Sequence, residues 1–240
     1  MIERLADWAR GRPSRPALLI RDALGAAEPD DPALRLVLAT ELDALPVAPH
    51  LAALAWRAIE LMDLAPPDET RLDALTEALT TAPAPELPLV LPSGARITDA
   101  ETAALAGEAL ALRALTKGHR AGDAPIRARL DDLARRGPGV SGVIRRASAL
   151  HGIAADAVHY PTAVEALAEA LAGVQHSDGS WGDEDLFHVA QALLAVEHPA
   201  AGRALKKGLK ALEREQRPDG SFGAEERCWI ACRWLVRVGG

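Results

Sequence analysis

The sequence predicts an all-α fold in which helical hairpins form two concentric layers. An eight-residue corner of the form Q-x-x-D-G-S-(W/F)-G occurs at 175–182 and recurs 41 residues later at 216–223. A fixed period of this size, with one turn per period, is typical of repeated units that bury their apolar faces by stacking on one another. Amphipathic helices precede the corners, almost wholly apolar helices follow them, and short connections join the helices along the chain.

Each part of the repeated corner has a physical role. The glutamine closes the preceding helix, and the Asp-Gly pair supplies a side-chain oxygen for local backbone bonds and a residue that tolerates positive φ. The aromatic residue, Trp181 or Phe222, is a large apolar wedge that fits between neighbouring helices. We therefore expect two compact, rigid helix-to-helix corners.

The helices on the two sides of each corner differ in pattern. The segments 162–174 and 200–215 carry apolar residues on one face and charged residues on the other, as solvent-facing helices do. The segments that follow are apolar nearly all round and are interrupted chiefly by Gln191, Arg233 and Arg237. Because such helices are normally enclosed by protein, we expect outer helices to surround inner ones.

The rest of the chain continues the same pattern, with Pro-, Gly- and Asp-rich connections between helices. Asp31 before Pro32, Pro49, Asp68, and Thr98 with Asp99 mark helix starts. Helices are predicted near 2–10, 16–25, 32–45, 49–63, 68–81, 99–117, 123–136, 140–152, 162–174, 184–196, 200–215 and 225–237. In a ring of hairpins the even-numbered helices should be the inner ones.

One segment interrupts the helices. Residues 87–97 place a Pro-Ser-Gly turn between two short apolar runs, which predicts a small β-hairpin or an ordered loop. Its two prolines indicate a position at an edge.

Composition limits the number of domains and the classes of partner. With 240 residues, 49% of them hydrophobic, the chain can form one continuous domain over 1–240. A net charge of −7 without a concentrated basic face argues against a nucleic-acid partner. No segment reaches the roughly 18 to 20 apolar residues that a membrane span needs.

Cysteine use indicates the compartment. Cys228 and Cys232 lie four residues apart on one predicted helix, where two thiols seldom bridge. A reduced cytoplasmic compartment fits best, and the Ala-, Arg- and Leu-rich composition is associated with bacteria of high GC content.

The corner with an outer helix before it and an inner helix after it resembles the repeat of the terpene-cyclase and protein-prenyltransferase α/α toroids, known as the QW motif in squalene–hopene cyclases. The resemblance covers residues 161–240 and implies an α/α toroid of six helical hairpins, which twelve helices would complete. Residues 1–160 contain no second clear copy. They form either a degenerate part of the same ring or a separate helical segment packed on a half-ring.

The resemblance also implies catalytic acids. Asp183-Glu184-Asp185 at the start of an inner helix is similar to the D-x-D-D motif of class II terpene cyclases, although Leu186 stands where the last Asp belongs. Asp183 and Asp185 are therefore candidate catalytic acids, which an enclosed site would have to hold neutral. The alternative is that Asp183 caps the helix and the acids complement its dipole.

A zinc site is the second implication of the resemblance. Prenyltransferases bind zinc through a D-x-C pair and a His at inner-helix starts, and Glu226 with Cys228, and His188, are similar elements. A thiolate, an imidazole and a carboxylate suit Zn²⁺. Here Glu replaces Asp, and the His precedes the Cys. The alternative is that His188 is a hydrogen-bonded packing residue and that the protein uses no cofactor.

The expected ligand is a small apolar molecule at the rim where the inner helices begin. Trp181, Phe187 and Trp229 are the candidate substrate-binding residues, because π faces stabilise carbocations. The chain has only five Trp, two Phe and one Tyr, which is few for a cyclase cavity. Two functions follow: a toroid that binds or transforms an isoprenoid-type ligand, or a non-catalytic helical-repeat scaffold for a protein partner.

Overall fold

The structure, a computed structural model, describes residues 1–25, 36, 40, 50–64, 69–83, 85–182 and 186–239, with the side chains of 60–64 and 69–71 left aside. These residues contain eleven α-helices, two short 3-10 helices and one two-stranded sheet. The helices are α1 (Ile2–Ala9), α2 (Arg15–Ala23), α3 (Leu51–Leu64), α4 (Glu69–Thr81), α5 (Ala100–Lys117), α6 (Ala124–Arg136), α7 (Val143–Ile153), α8 (Pro161–Gly173), α9 (Leu186–Leu194), α10 (Pro199–Glu215) and α11 (Glu225–Gly239).

The all-α fold class and the small β-hairpin are confirmed. Strands β1 (Leu89–Val90) and β2 (Arg96–Ile97) pair antiparallel, with Leu89 opposite Ile97. Arg227 of α11 donates from Nε to the carbonyl oxygen of Ser93, at 2.6 Å, and so ties the hairpin turn to the helices. The hairpin is therefore an anchored part of the helical domain's surface.

The helices fall into two groups by their contacts. Helix α3 packs against α5, α5 against α7, α7 against α9, α9 against α11, and α11 against α2. These six are the even-numbered helices of the sequence prediction. In α9 every residue from Phe187 to Leu194 is buried, whereas α10 exposes Lys206, Lys210 and Glu213. The predicted alternation of enclosed and half-exposed helices is thus present in this part of the chain.

Some predicted elements lie outside the described residues. The predicted helix over 32–45 is one of them, apart from Leu36 and Thr40. The start of α5 is described and follows the prediction closely: Asp99 is the N-cap, and its Oδ1 accepts from the backbone N of Thr102 at 2.8 Å. The division of the chain at residue 160 stays a prediction.

The first repeated corner follows outer helix α8 and is hydrogen-bonded to the next outer helix, α10. Gln175 lies just beyond α8, and its Nε2 donates to the carbonyl oxygens of Gly179, in its own turn, and Ala204, in α10, each at 2.9 Å. Asp178 Oδ1 accepts from the backbone N and the hydroxyl of Ser180, as the motif predicts. The glutamine does more than close its helix, because it also fastens the corner to the next outer helix.

The second corner repeats these bonds on a different partner. Gln216 Nε2 donates to the carbonyl oxygens of Gly220 and Met1, each at 3.0 Å. Arg4 of α1 donates to Arg217 O, as Lys207 of α10 donates to Gln175 O in the first corner. The N-terminal helix α1 therefore occupies, for the second corner, the place that α10 occupies for the first.

Candidate functional site

The aromatic residues of the corners are packing residues. Trp181 is 3% exposed, and its Nε1 donates to Leu171 O at 2.7 Å. Phe187 and Phe222 are also buried and meet edge to face, with ring centroids 6.0 Å apart. Of the three predicted substrate-binding residues, Trp181 and Phe187 line neither of the two cavities described below, and Trp229 lines the larger.

The predicted zinc ligands have separate partners. His188 Nε2 lies 3.0 Å from the hydroxyl of Ser148, Cys228 Sγ accepts from the backbone N of Phe222 at 3.2 Å, and Glu226 forms a 3.6 Å ion pair with Arg15. The described residues contain no group of three His, Cys, Asp or Glu side chains placed to hold a metal ion. Glu226, Cys228 and His188 are therefore not brought together as a zinc site in the part of the chain that is described.

Burial keeps the thiol of Cys228 and the imidazole of His188 uncharged at neutral pH. It raises the pKa of Cys228 to about 11, so its thiol stays protonated at neutral pH. Burial also lowers the pKa of His188 to about 4, and its imidazole is neutral. The candidate acids Asp183 and Asp185 lie outside the described residues.

A cavity of about 400 Å³ receives side chains from α2, α3, α5, α7, α9 and α11; we call it the central cavity. Its size falls in the range of small-molecule sites. Its apolar lining residues are Leu19, Ile59, Leu194, Ala195 and Trp229. Its polar lining residues are Arg113, Lys117, Arg233, His151 and Gln191.

Three of the polar lining residues are basic. Arg113 and Lys117 lie four residues apart on α5, hence on one face of it, and Arg233 approaches from α11. The described lining contains no carboxylate. Burial and the charge of Arg233 lower the pKa of Arg113 to about 9, and the same two causes lower the pKa of Lys117. Arg113 therefore remains cationic at neutral pH, and the positive charge of Arg233 acting on both Arg113 and Lys117 favours an anion in the cavity.

Two buried groups in this lining lack hydrogen-bond partners among the described residues. Arg113, which is 7% exposed, donates from Nη1 to His151 O at 3.0 Å, but its Nε has no acceptor. Gln191 Oε1 likewise has no partner. A buried donor or acceptor left unpaired costs about 1–3 kcal/mol. A polar ligand group in the cavity would recover part of that cost.

His151 also lines the central cavity, as a neutral imidazole. Burial, followed by the charges of Arg113, His188, Arg233 and Lys117, lowers its pKa well below the usual value. It can therefore donate one hydrogen bond and accept another, but it adds no positive charge at neutral pH. The described lining contains neither a thiol nor a carboxyl group.

The cationic residues were missed by sequence reasoning, although a signal existed. Gln191 and Arg233 are two of the three interruptions noted in the apolar helices, and both lie in the central cavity. The third, Arg237, pairs with Glu197 at 3.1 Å near the surface. A polar residue inside an otherwise apolar helix was thus a useful indicator, while Arg113 and Lys117 had no comparable mark.

Four arginines lie close together in the sequence on the two sides of the Gly-Pro-Gly turn at 137–139. Three of them form ion pairs with carboxylates: Arg135 with Asp132, Arg136 with Glu108, and Arg145 with Glu101. Surface ion pairs of this kind contribute little and leave no charge unsatisfied. The basic residues of the central cavity come instead from two different helices, α5 and α11.

A second cavity, of about 350 Å³, lies at the beginnings of α2, α3 and α11, one to two turns before the residues of the same helices that line the central cavity. We call it the rim cavity. Glu226, a predicted site residue, lines it. Trp56 of the rim cavity and His151 of the central cavity are in contact, with ring centroids 6.2 Å apart.

Comparison with known proteins adds no family assignment. A scan against family models, a search of curated proteins and a search of solved structures each returned no match to this chain. Over the part of the chain that is described, no helix combines the length and the apolar character needed to cross a bilayer.

Proposed function

We propose that the protein is an α/α toroid, similar in architecture to the terpene cyclases and prenyltransferases, that binds an isoprenoid-type ligand with an anionic headgroup in the central cavity. The lining carries this proposal, since it combines apolar residues with the basic residues Arg113, Lys117 and Arg233. An apolar chain would cover Leu19 and Ile59 while a phosphate or diphosphate meets the cations.

The toroid interpretation is supported by the order of helix contacts. Six helices pack on one another in the sequence α3, α5, α7, α9, α11, α2, and each contributes to the same cavity. The corner at Gln216 bonds to Met1 and so brings the two ends of the chain together. This arrangement favours a ring of inner helices with a ligand on its axis.

We further propose that the described lining serves binding rather than chemistry. His151 is neutral, and no carboxyl or thiol group lines the central cavity among the described residues. A carboxylic acid for general acid catalysis would need to come from elsewhere, such as Asp183 or Asp185. The alternative of a helical-repeat scaffold for a protein partner is favoured by the same lack of catalytic groups.

Calorimetric titration at low salt with three related probes tests the proposal. The probes are geranyl diphosphate, inorganic pyrophosphate and geraniol. Geranyl diphosphate should bind at least about tenfold more tightly than geraniol, because a charge-assisted contact in a partly buried site contributes about 1.4 kcal/mol or more. Added salt should weaken its binding.

The matched variants are Lys117→Met in the cavity and Lys210→Met on the exposed face of α10. Both remove one positive charge, but only Lys117→Met should weaken geranyl diphosphate binding, by about fivefold or more. Equal binding of geraniol, or equal effects of the two variants, would refute the anionic-headgroup site. No binding of any probe would leave the scaffold function as the better proposal.

A further inference from the structure

The rim cavity has a different chemistry from the central cavity. Four of its residues are apolar and compact, namely Pro13, Pro16, Pro92 and Ala53. Its charged residues are two cations and two carboxylates, Arg15 and Arg57 with Glu225 and Glu226. The described lining is therefore neutral overall, whereas that of the central cavity is strongly positive. An anion with no positive group has no net attraction to the rim cavity.

Two buried polar groups at the rim cavity have no hydrogen-bond partner among the described residues. Trp56 is 4% exposed, and its Nε1–H has no acceptor. Ser14 is the N-cap of α2, but its hydroxyl makes no capping bond and has no other partner. Tryptophan N–H groups usually find an acceptor when buried. A ligand oxygen in the cavity would supply one to Trp56 and Ser14.

The helix ends divide the cavity electrostatically. Helix α2 begins at Arg15, where the helix dipole and the guanidinium both favour a negative ligand group. Helix α11 begins with Glu225 and Glu226, which favour a positive one. Arg15 and Glu226 pair at 3.6 Å, so a ligand with both charges that lies alongside this pair can place its negative group at Arg15 and its positive group at Glu226. The ligand should thus carry both signs of charge close together.

We propose that the rim cavity binds a small amine–carboxylate zwitterion with a compact apolar side chain, of the size of an amino acid or a dipeptide. The carboxylate accepts from Trp56 Nε1 and from the arginines, the ammonium donates to Glu225 and Glu226, and the side chain packs on the prolines. This site is independent of the proposed function of the central cavity, because the described linings of the two cavities share no residue.

Three leucine derivatives test the charge requirement on the wild-type protein by calorimetry. Leucine carries both charges, leucinamide only the ammonium, and N-acetylleucine only the carboxylate. Leucine should bind at least about tenfold more tightly than either derivative, since each lost charge–charge contact costs about 1.4 kcal/mol or more. The proposal is contradicted if leucine does not bind, or if it binds less than about tenfold more tightly than either derivative.

Variants assign the two charges to residues. Glu225→Gln should weaken leucine binding about fivefold or more but not the binding of N-acetylleucine, because it removes a like charge from the site of that anion. Arg57→Gln should weaken leucine binding to the same extent but not the binding of leucinamide. Glu213→Gln, on the exposed face of α10, is the matched control and should change nothing. An equal loss from Glu213→Gln would overturn the assignment.

The proposals for the two cavities can be tested separately. Lys117→Met should leave leucine binding unchanged, and leucine should not compete with geranyl diphosphate. Ligand binding should also change the tryptophan fluorescence of the wild type, and Trp56→Phe should remove that change. A fluorescence response that persists in Trp56→Phe, together with leucine binding that Lys117→Met weakens, would place leucine in the central cavity and refute the rim site.

Discussion

Replacing Gly179 with alanine tests how the repeated corner holds the outer helices together. Gly179 has φ of +89°, and a Cβ added there would lie within 3.0 Å of the carbonyl oxygen of Lys207 in α10. That oxygen belongs to helix backbone, so no side-chain rotation can relieve the overlap. The corner would have to move away from α10, and the bonds of Gln175 to Gly179 and Ala204 would lengthen.

The expected loss follows from these two effects. A left-handed conformation costs a residue with a Cβ about 1–2 kcal/mol, and the displacement of packed backbone costs about 1–3 kcal/mol. We expect Gly179→Ala to lower the free energy of unfolding by about 3 kcal/mol, or the Tm by about 6–12 °C for a chain of this size. Urea denaturation followed by circular dichroism at 222 nm measures it.

The control is Gly202→Ala in α10, where an added Cβ meets nothing within 4 Å. Because alanine favours helix over glycine, this variant should be neutral or gain up to about 1 kcal/mol. Gly220→Ala should match Gly179→Ala, since its Cβ would overlap Arg4 O of α1 in the same way. A loss below about 1 kcal/mol for Gly179→Ala would refute the close corner contact.

Two further predictions concern buried groups. The pKa of His188 lies at about 4 in the folded protein, below its usual 6.5, so the unfolded chain binds more protons between these values. Stability should therefore fall as pH drops from about 6.5 to about 4, by up to about 1.4 kcal/mol per pH unit for this residue. His188→Gln should flatten that slope in denaturation curves, whereas His176→Gln, at an exposed site, should not. Burial raises the pKa of Cys228 to about 11 and that of Cys232 to about 12. Both thiols should resist a disulfide reagent at pH 8 until denaturant is added, and rapid reaction of the native protein would show that they are accessible.

Local patterns in the sequence determined the elements and the repeated corner. A hydrophobic period of 3.6 residues is visible within one helix, and the Asp-Gly pair of a turn acts on its own neighbours, so both can be found without knowing the fold. The all-α class, the hairpin near 87–97 and the enclosed character of α9 were therefore predictable. The bond from Gln216 to Met1 could not be predicted, because it joins residues that are 215 positions apart in the sequence.

The chemistry of the interior was decided by tertiary structure alone. Family-type motifs drew attention to His188, Glu226 and Cys228, but packing gave each a separate partner and kept the Cys228 thiol protonated. Arg113 and Arg233 lie 120 residues apart in the chain and line one cavity. Which charges share a space, and how far burial shifts their pKa values, depends on how the helices cross. A linear pattern does not contain that information.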